Sequence, residues 1–261
     1  MKRRNERPEN PRRQFLVRAL GGAGTFLVAG CNRLSSTQWF PKFLAVGERL
    51  SSATQHLATP RKSMAQEFSE ADLSPRFRSN GTAVPDNPQY QALARNAFAD
   101  WALEVGGLVE QPTKLTLAQL RHLPSRTQIT RHDCVEGWSA IGKWTGVPLH
   151  EVLALVRPQP QARYVVFYCA DPMEDSEASK YYESVDMEDA RHPQTILAYD
   201  LNGAALPIAN GAPIRVRVER QLGYKMAKYL MRIELVESFA QIRDGKGGYW
   251  EDQGYEWYAG I

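Results

Sequence analysis

Six consecutive residues, Ile214-Arg215-Val216-Arg217-Val218-Glu219, alternate apolar and charged without a break. Side chains on a strand point to opposite faces in turn. Ile214, Val216 and Val218 therefore share one face, and Arg215, Arg217 and Glu219 the polar other. Further β-type runs stand at Ala102–Gly106, Tyr164–Ala170 and Met231–Val236, rich in Val, Ile, Tyr or Leu. Helical patterns are short: Thr116–His122 opens with a Thr cap, and His150–Val156 carries Val152, Leu153, Leu155 and Val156 at helical spacing. Strand, helix and strand do not recur at regular intervals, which argues against a doubly wound nucleotide-binding sheet. The expectation is an α+β fold with mixed sheets, short helices and much loop.

Composition sets wide bounds. With 43% hydrophobic and 23% charged residues, the chain is neither fibrous nor largely disordered. Without its N-terminal segment, roughly 230 residues would bury about 70–75% of their extended-chain surface, so a core forms without disulfide staples. The formal charge is +3, but seven basic and two acidic residues in the first thirty account for more than all of it. The remainder is near neutral, and a nucleic-acid partner finds no support there.

Those first residues read as an address. Arg12-Arg13-Gln14-Phe15-Leu16 is a twin-arginine pair followed by apolar residues, and Ala19 to Gly30 is uncharged and rich in Gly and Ala. Twelve residues of helix reach about 18 Å, against a hydrocarbon layer of about 30 Å, so the run suits a signal peptide rather than an anchor. Twin-arginine signals serve export of folded proteins, which suits a chain that acquires a fragile cofactor before leaving the cytoplasm. Val28-Ala29-Gly30-Cys31 resembles a bacterial lipoprotein cleavage box, with a lipid anchor at Cys31; ordinary cleavage nearby is the alternative. Three parts are expected: the signal in residues 1–31, a wrapping or tethering segment in 32–92, and the functional domain in 93–261. The expected location is the periplasm or the cell envelope.

Besides Cys31 the chain has Cys134 and Cys169, and an exported pair invites a disulfide. Cys134, however, sits in the polar and aromatic run Arg131-His132-Asp133-Cys134-Val135-Glu136-Gly137-Trp138-Ser139. Two cations just upstream, Arg131 and His132, would favour the thiolate, the form that ligates soft metals.

This run, followed by Trp144-Thr145-Gly146-Val147-Pro148-Leu149, resembles the metal-ligand region of the sulfite-oxidase family. A second block runs from Leu197-Ala198-Tyr199-Asp200-Leu201-Asn202-Gly203 through Asn210-Gly211-Ala212-Pro213-Ile214-Arg215 to Gly223-Tyr224-Lys225-Met226-Ala227-Lys228. It is similar to that family's cofactor-binding half, in the same order. The match spans roughly Leu93 to Val236 and is nearest the single-domain exported branch that includes a periplasmic protein-methionine-sulfoxide reductase. The resemblance implies a sulfite-oxidase-type molybdopterin-binding fold, a molybdenum-molybdopterin cofactor, and Cys134 as the protein's ligand to the metal. It implies cofactor contacts from Asn80, Asn210, Arg215, Lys225, Met226, Ala227 and Lys228. Cys169 stands where family members place a threonine near the cofactor. For Asn80 and Asn210, a simple Asn-Gly turn is the competing reading.

A pterin is long, flat and polar and ends in a phosphate. Its site therefore needs donors along the ring and positive charge at the tail, which Asn210, Arg215 and the lysines of the Gly223–Lys228 loop can supply. Arg131 or His132, by adjacency to Cys134, is a candidate to orient a substrate oxyanion or sulfoxide. The implied activity is two-electron oxygen-atom transfer on sulfite, a sulfoxide or another small oxyanion. No Cys-x-x-Cys-His haem motif is present, so electrons would pass through a separate redox protein, a membrane cytochrome being one candidate. Only 25 residues follow Val236, too few for the immunoglobulin-like dimerisation domain of classical sulfite oxidases. The Gly-rich aromatic stretch from Gly245 to Tyr258 reads as a tail docked on the domain in preference to a lid. The rival expectation is a non-enzymatic exported lipoprotein, a binding module with a Cys134–Cys169 disulfide.

Overall fold

The computed structural model describes residues 63–174 and 179–261. The expected signal, with Arg12, Arg13 and Cys31, lies outside the described residues. In chain order the strands are β1 (Ala102–Gly107), β2 (Thr113–Thr116), β3 (Arg126–Cys134), β4 (Trp138–Pro148), β5 (Tyr164–Pro172), β6 (Lys180–Asp186), β7 (Ile196–Leu201), β8 (Ala204–Ala205), β9 (Arg215–Arg217) and β10 (Leu230–Val236). The helices are α1 (Pro88–Arg95), α2 (Leu117–His122), α3 (Leu149–Val156), α4 (Met187–Ala190) and α5 (Tyr249–Asp252). The class is α+β with short helices, as expected.

One sheet runs β2-β1-β10-β5-β6, with β1 and β10 parallel and the other pairs antiparallel. The other runs β3-β4-β7-β8, with β9 paired to β7. Between the sheets lies the main core, into which β1, β5 and β10 send Leu103, Val105, Val165, Phe167, Ile233 and Leu235. Helix α3 adds Leu149, Val152, Leu153 and Val156; of the expected stripe Leu155 is instead exposed. Thr116 caps α2 in a reciprocal box with Gln119. A smaller cluster on the far side of the second sheet joins Trp144, Ile196, Ala198, Leu201 and Leu206 to Phe77.

Strand β7 is buried on both faces: Leu197 and Tyr199 enter the main core, while Ile196 and Ala198 enter the smaller one. That removes the alternation by which a strand is read from sequence. In β9, Val216 faces the core as expected, but the charged face is not solvated, and Arg215 and Arg217 are wholly buried.

The compact unit begins at Pro60, and the expected boundary at residue 93 falls inside α1. Upstream of α1 the chain runs extended against the second sheet. Phe68 N–H donates to Ile129 O at 2.8 Å, and Phe77 packs edge-on to Trp144 with ring centroids 4.9 Å apart. The Tyr90 hydroxyl of α1 then donates to Ala212 O at 2.6 Å, beside the second sequence block.

Candidate active site

Cys134 ends β3 and pairs with Trp138 across a three-residue turn. Gly137 closes the turn at φ +83°, a left-handed conformation that suits glycine, and its N–H donates to Cys134 O at 3.0 Å. Alternation along β3 puts His132 and Cys134 on one face and Arg131 and Asp133 on the other. Arg131 is half-exposed, its Nε donates to Asp133 Oδ2 at 2.9 Å, and it does not line the cleft that Cys134 lines. The structure thus does not bring Arg131 to the thiol.

Nor does His132 act as a cation. It is buried, and desolvation, with Arg217, Arg215 and Lys228 nearby, holds its pKa well below the usual imidazole value. Arg217 Nη1 donates to His132 Nδ1 at 3.0 Å, which assigns the ring proton to Nε2. Burial raises the Cys134 pKa, while a backbone hydrogen bond from Glu136 and the charges of Arg78 and Arg215 lower it. The Glu136 charge raises it further, so the thiol stays above its ordinary value, and the cations that oppose this are Arg78 and Arg215, distant in sequence, not the neighbours Arg131 and His132.

Behind the thiol, Arg217 grips Glu219 with two bonds, Nε to Oε1 at 2.9 Å and Nη2 to Oε2 at 2.6 Å. Its guanidinium lies 4.4 Å from the Trp144 ring centroid. Arg215 donates to Asn210 O at 3.1 Å and Met226 O at 3.2 Å, leaving Nε without a partner. Burial, then Arg217, depresses its pKa to about 9. Gly223 packs against His132 so closely that a Cβ there would stand 2.4 Å from the ring.

Lys228 donates to Asn80 O at 2.6 Å, Thr82 O at 2.5 Å and Ala209 O at 2.9 Å, tying the chain before α1 to the second block. Burial, then Arg215, lowers its pKa to about 7. Lys225 has a different part from the one expected. Its ammonium is fully buried between Glu183 and Glu251 and is bonded to both. Burial raises the Glu183 carboxyl well above the usual range, and Lys225 opposes that shift.

These elements enclose a cleft of about 190 Å³. Of the expected site residues, Asn80, Cys134, Met226 and Lys228 line it; Asn210, Arg215 and Ala227 are buried nearby in the same block; Arg131 and Lys225 are not in its wall. Cys169 is buried in β5 and belongs to the main core. Both cysteines are free, so the expected disulfide of the rival reading is absent. In the aromatic stretch Trp257 docks the tail against Tyr164 and Phe239, as expected, and Trp250 and Tyr255 line the cleft.

Asp171 was missed by the sequence reading. It lines the cleft, nearly buried, and burial pushes its carboxyl up to about 6. Its one signal was its place just past the end of the β-type run that holds Cys169. Among the described buried polar atoms without a partner are two acceptors of the cleft wall, Asn80 Oδ1 and Asp171 Oδ1, two donors nearby, Asn210 Nδ2 and Arg215 Nε, and His132 Nε2 and Trp144 Nε1 around Arg217. Each such atom costs about 1–3 kcal/mol unless something binds it. Two acceptors and two donors together fit an elongated polar ligand such as a pterin.

Residues 90–242 match the family described as the oxidoreductase molybdopterin binding domain. The putative protein-methionine-sulfoxide reductase subunit YedZ1 of Azospira oryzae is 37% identical over 249 residues, covering 95% of this chain and 87% of that protein. The protein-methionine-sulfoxide reductase catalytic subunit MsrP of Ralstonia nicotianae is 34% identical over 235 residues, covering 87% of this chain and 68% of that one. Among solved structures, the sulfane dehydrogenase SoxCD of Paracoccus pantotrophus superposes with a TM-score of 0.50 at 25% identity, over 56% of this chain and 40% of that chain.

Proposed function

The chain belongs to the oxidoreductase molybdopterin binding domain family, and from that premise we propose that it reduces a sulfoxide in the cell envelope, with Cys134 as the protein's ligand to molybdenum. In such a reaction the sulfoxide takes up two electrons and two protons, and its oxygen leaves as water. A molybdenum-pterin cofactor held at Cys134 would supply the two-electron chemistry.

The observation that carries the reading is the convergence of Cys134 from the first sequence block with Met226 and Lys228 from the second around one cleft, in whose wall Asn80 Oδ1 and Asp171 Oδ1 lack partners. Among the described residues no group of three or more His, Cys, Asp or Glu could hold a metal ion. A metal at Cys134 would then take its other ligands from a cofactor, as a dithiolene provides. Asn80, Asn210, Arg215, Met226, Ala227 and Lys228 are the residues proposed to hold that cofactor. Arg215, whose Nε is unpartnered, would donate to it, and Lys228 would fix the Asn80–Thr82 segment beside it. Cys169, kept protonated by burial, is proposed to replace the threonine of its relatives without ligating the metal.

Charge favours a neutral sulfoxide over sulfite. Among the described cleft residues, the charged side chains besides Cys134 and the tyrosines are Glu136, Asp171 and Lys228, and Lys228 already serves three carbonyls. An anionic substrate would face two carboxyls with no free cation in the wall. The methionine-sulfoxide reductase names of the relatives point the same way.

Export by the twin-arginine signal in residues 1–31, anchoring at Cys31, a tethering role for the chain before α1, and electron delivery by a separate membrane protein complete the proposal. The test is purification from a host that makes the pterin. The protein should carry one molybdenum and oxidise a reduced viologen when given a sulfoxide, and Cys134→Ser should abolish both. A metal-free, inactive preparation from that host ends the reading.

A further inference from the structure

The cleft has one wall that the cofactor contacts do not use. Tyr181, Tyr224, Trp250 and Tyr255 form it, with half-buried Met173 beside them. Trp250 and Tyr255 are stacked, with ring centroids 5.3 Å apart at 28°, and Tyr255 meets Tyr224 edge-on at 5.4 Å.

This wall is held from behind at several points. Trp250 sits in α5 next to Glu251, whose carboxylate accepts from buried Lys225 at 2.6 Å. Lys225 is in turn the neighbour of Tyr224. The Tyr224 hydroxyl donates to Glu256 O at 2.7 Å, the Tyr255 N–H to Trp250 O at 2.9 Å, and the Tyr181 hydroxyl to Tyr224 O. Gly248 before α5 has no room for a side chain, since a Cβ would stand 2.0 Å from Glu251 Oε2. Packing on this scale fixes ring orientation, which an incidental tail contact does not require.

Resting on the sulfoxide reading above, we propose that Trp250, with Tyr255 stacked behind it, is the specificity-determining wall of the site, receiving the apolar arms of the substrate. The carbons next to a sulfoxide sulfur carry polarised C–H bonds, which suit the electron-rich face of an indole, and sulfur itself is favourable near an aromatic ring. An anion would meet the same faces repulsively. The geometry thus selects a sulfoxide flanked by alkyl or aryl groups over a small, hydrated one.

The experiment compares the molybdenum-loaded full chain with its Trp250→Ala and Trp250→Phe variants on methyl p-tolyl sulfoxide and dimethyl sulfoxide. Binding of methyl p-tolyl sulfone, which resembles the substrate but resists reduction, is followed by calorimetry. In Trp250→Ala the preference for the aryl substrate, as the ratio of kcat/KM values, should fall about tenfold, and the sulfone should bind about tenfold more weakly. Trp250→Phe should recover most of both. Equal losses on the two sulfoxides, or a fall in molybdenum content in Trp250→Ala, would overturn the assignment, the latter by giving Trp250 to the cofactor. Should the wild type reduce neither sulfoxide, the functional reading fails, and sulfone binding unaffected by Trp250→Ala would then overturn the wall as well.

Discussion

Arg217 reaches from β9 to His132 on β3, Nη1 to Nδ1 at 3.0 Å, and so couples the two sequence blocks through a contact closed to solvent. The same guanidinium neutralises Glu219 and covers Trp144. Truncating it would leave a buried carboxylate without its cation, held only by Gln128 Nε2 at 2.8 Å, and a buried imidazole without its donor. Arg217→Met is expected to destabilise the fold by about 3–5 kcal/mol, read as a lowered denaturation midpoint. A loss below about 1 kcal/mol would mean the pair is solvated.

Gly223→Ala places a methyl against the His132 ring, where 2.4 Å is available. Something has to shift, and overpacking of this kind costs about 1–3 kcal/mol. The Gly223–Lys225 turn leads into the proposed cofactor residues, so molybdenum content should fall with stability. Retained metal at lowered stability would separate the turn from cofactor binding.

Lys225→Met strands two carboxylates that share one ammonium. A loss of about 3–5 kcal/mol is expected, with part of it restored by Glu183→Gln in the same chain. If Lys225 is internal as described, the folded fraction keeps its molybdenum. Selective loss of metal from stably folded protein would return Lys225 to the cofactor.

Asp171 gives stability a measurable pH dependence. Its pKa rises from 3.8 in the unfolded chain to about 6 in the fold. A raised carboxyl contributes stability that is complete below the unfolded value and lost as pH climbs through the folded one. Asp171→Asn removes that loss. Relative to wild type, the variant should therefore gain about 2–3 kcal/mol between pH 4 and pH 7, from denaturant titrations in metal-free protein. A parallel pair of pH profiles would contradict the burial that raises this group.

Arg131→Ala should leave sulfoxide kinetics unchanged, because the side chain points away from the thiol and pairs with Asp133. Stability should move by no more than about 0.5 kcal/mol. A drop in kcat/KM would show that Arg131 swings to the cleft during turnover.

Much of the site was legible because its chemistry is local in sequence. Cys134 lies at the end of a hairpin whose Gly137 turn is short, and Met226 and Lys228 fall in one contiguous block. What escaped the reading depends on contacts between distant segments. Arg78 approaches the thiol from before α1, and Lys225 is claimed by Glu183 and Glu251, which lie 42 and 26 residues away. Arg131 was favoured by adjacency, yet neighbours on a strand face opposite ways. The polar face of β9 was found, but alternation alone does not distinguish a face turned to water from one sealed against His132 and Trp144. Strand β7 left no period-two trace because apolar clusters lie on both sides of it.

The parallel pairing of β1 with β10 brings Glu104 opposite Arg232. Strand β10 is the middle member of its sheet, with β1 on one side and β5 on the other, although it follows both in the chain. Closing a loop of that length carries an entropic penalty that only completed pairing repays, so the sheet assembles late and slowly. A nascent chain halted before Leu230 would hold the Cys134 hairpin but leave a gap at the centre of the sheet. Topology thereby makes β10 the keystone: the β1–β2 pair and the β5–β6 pair stay separate until it is in place.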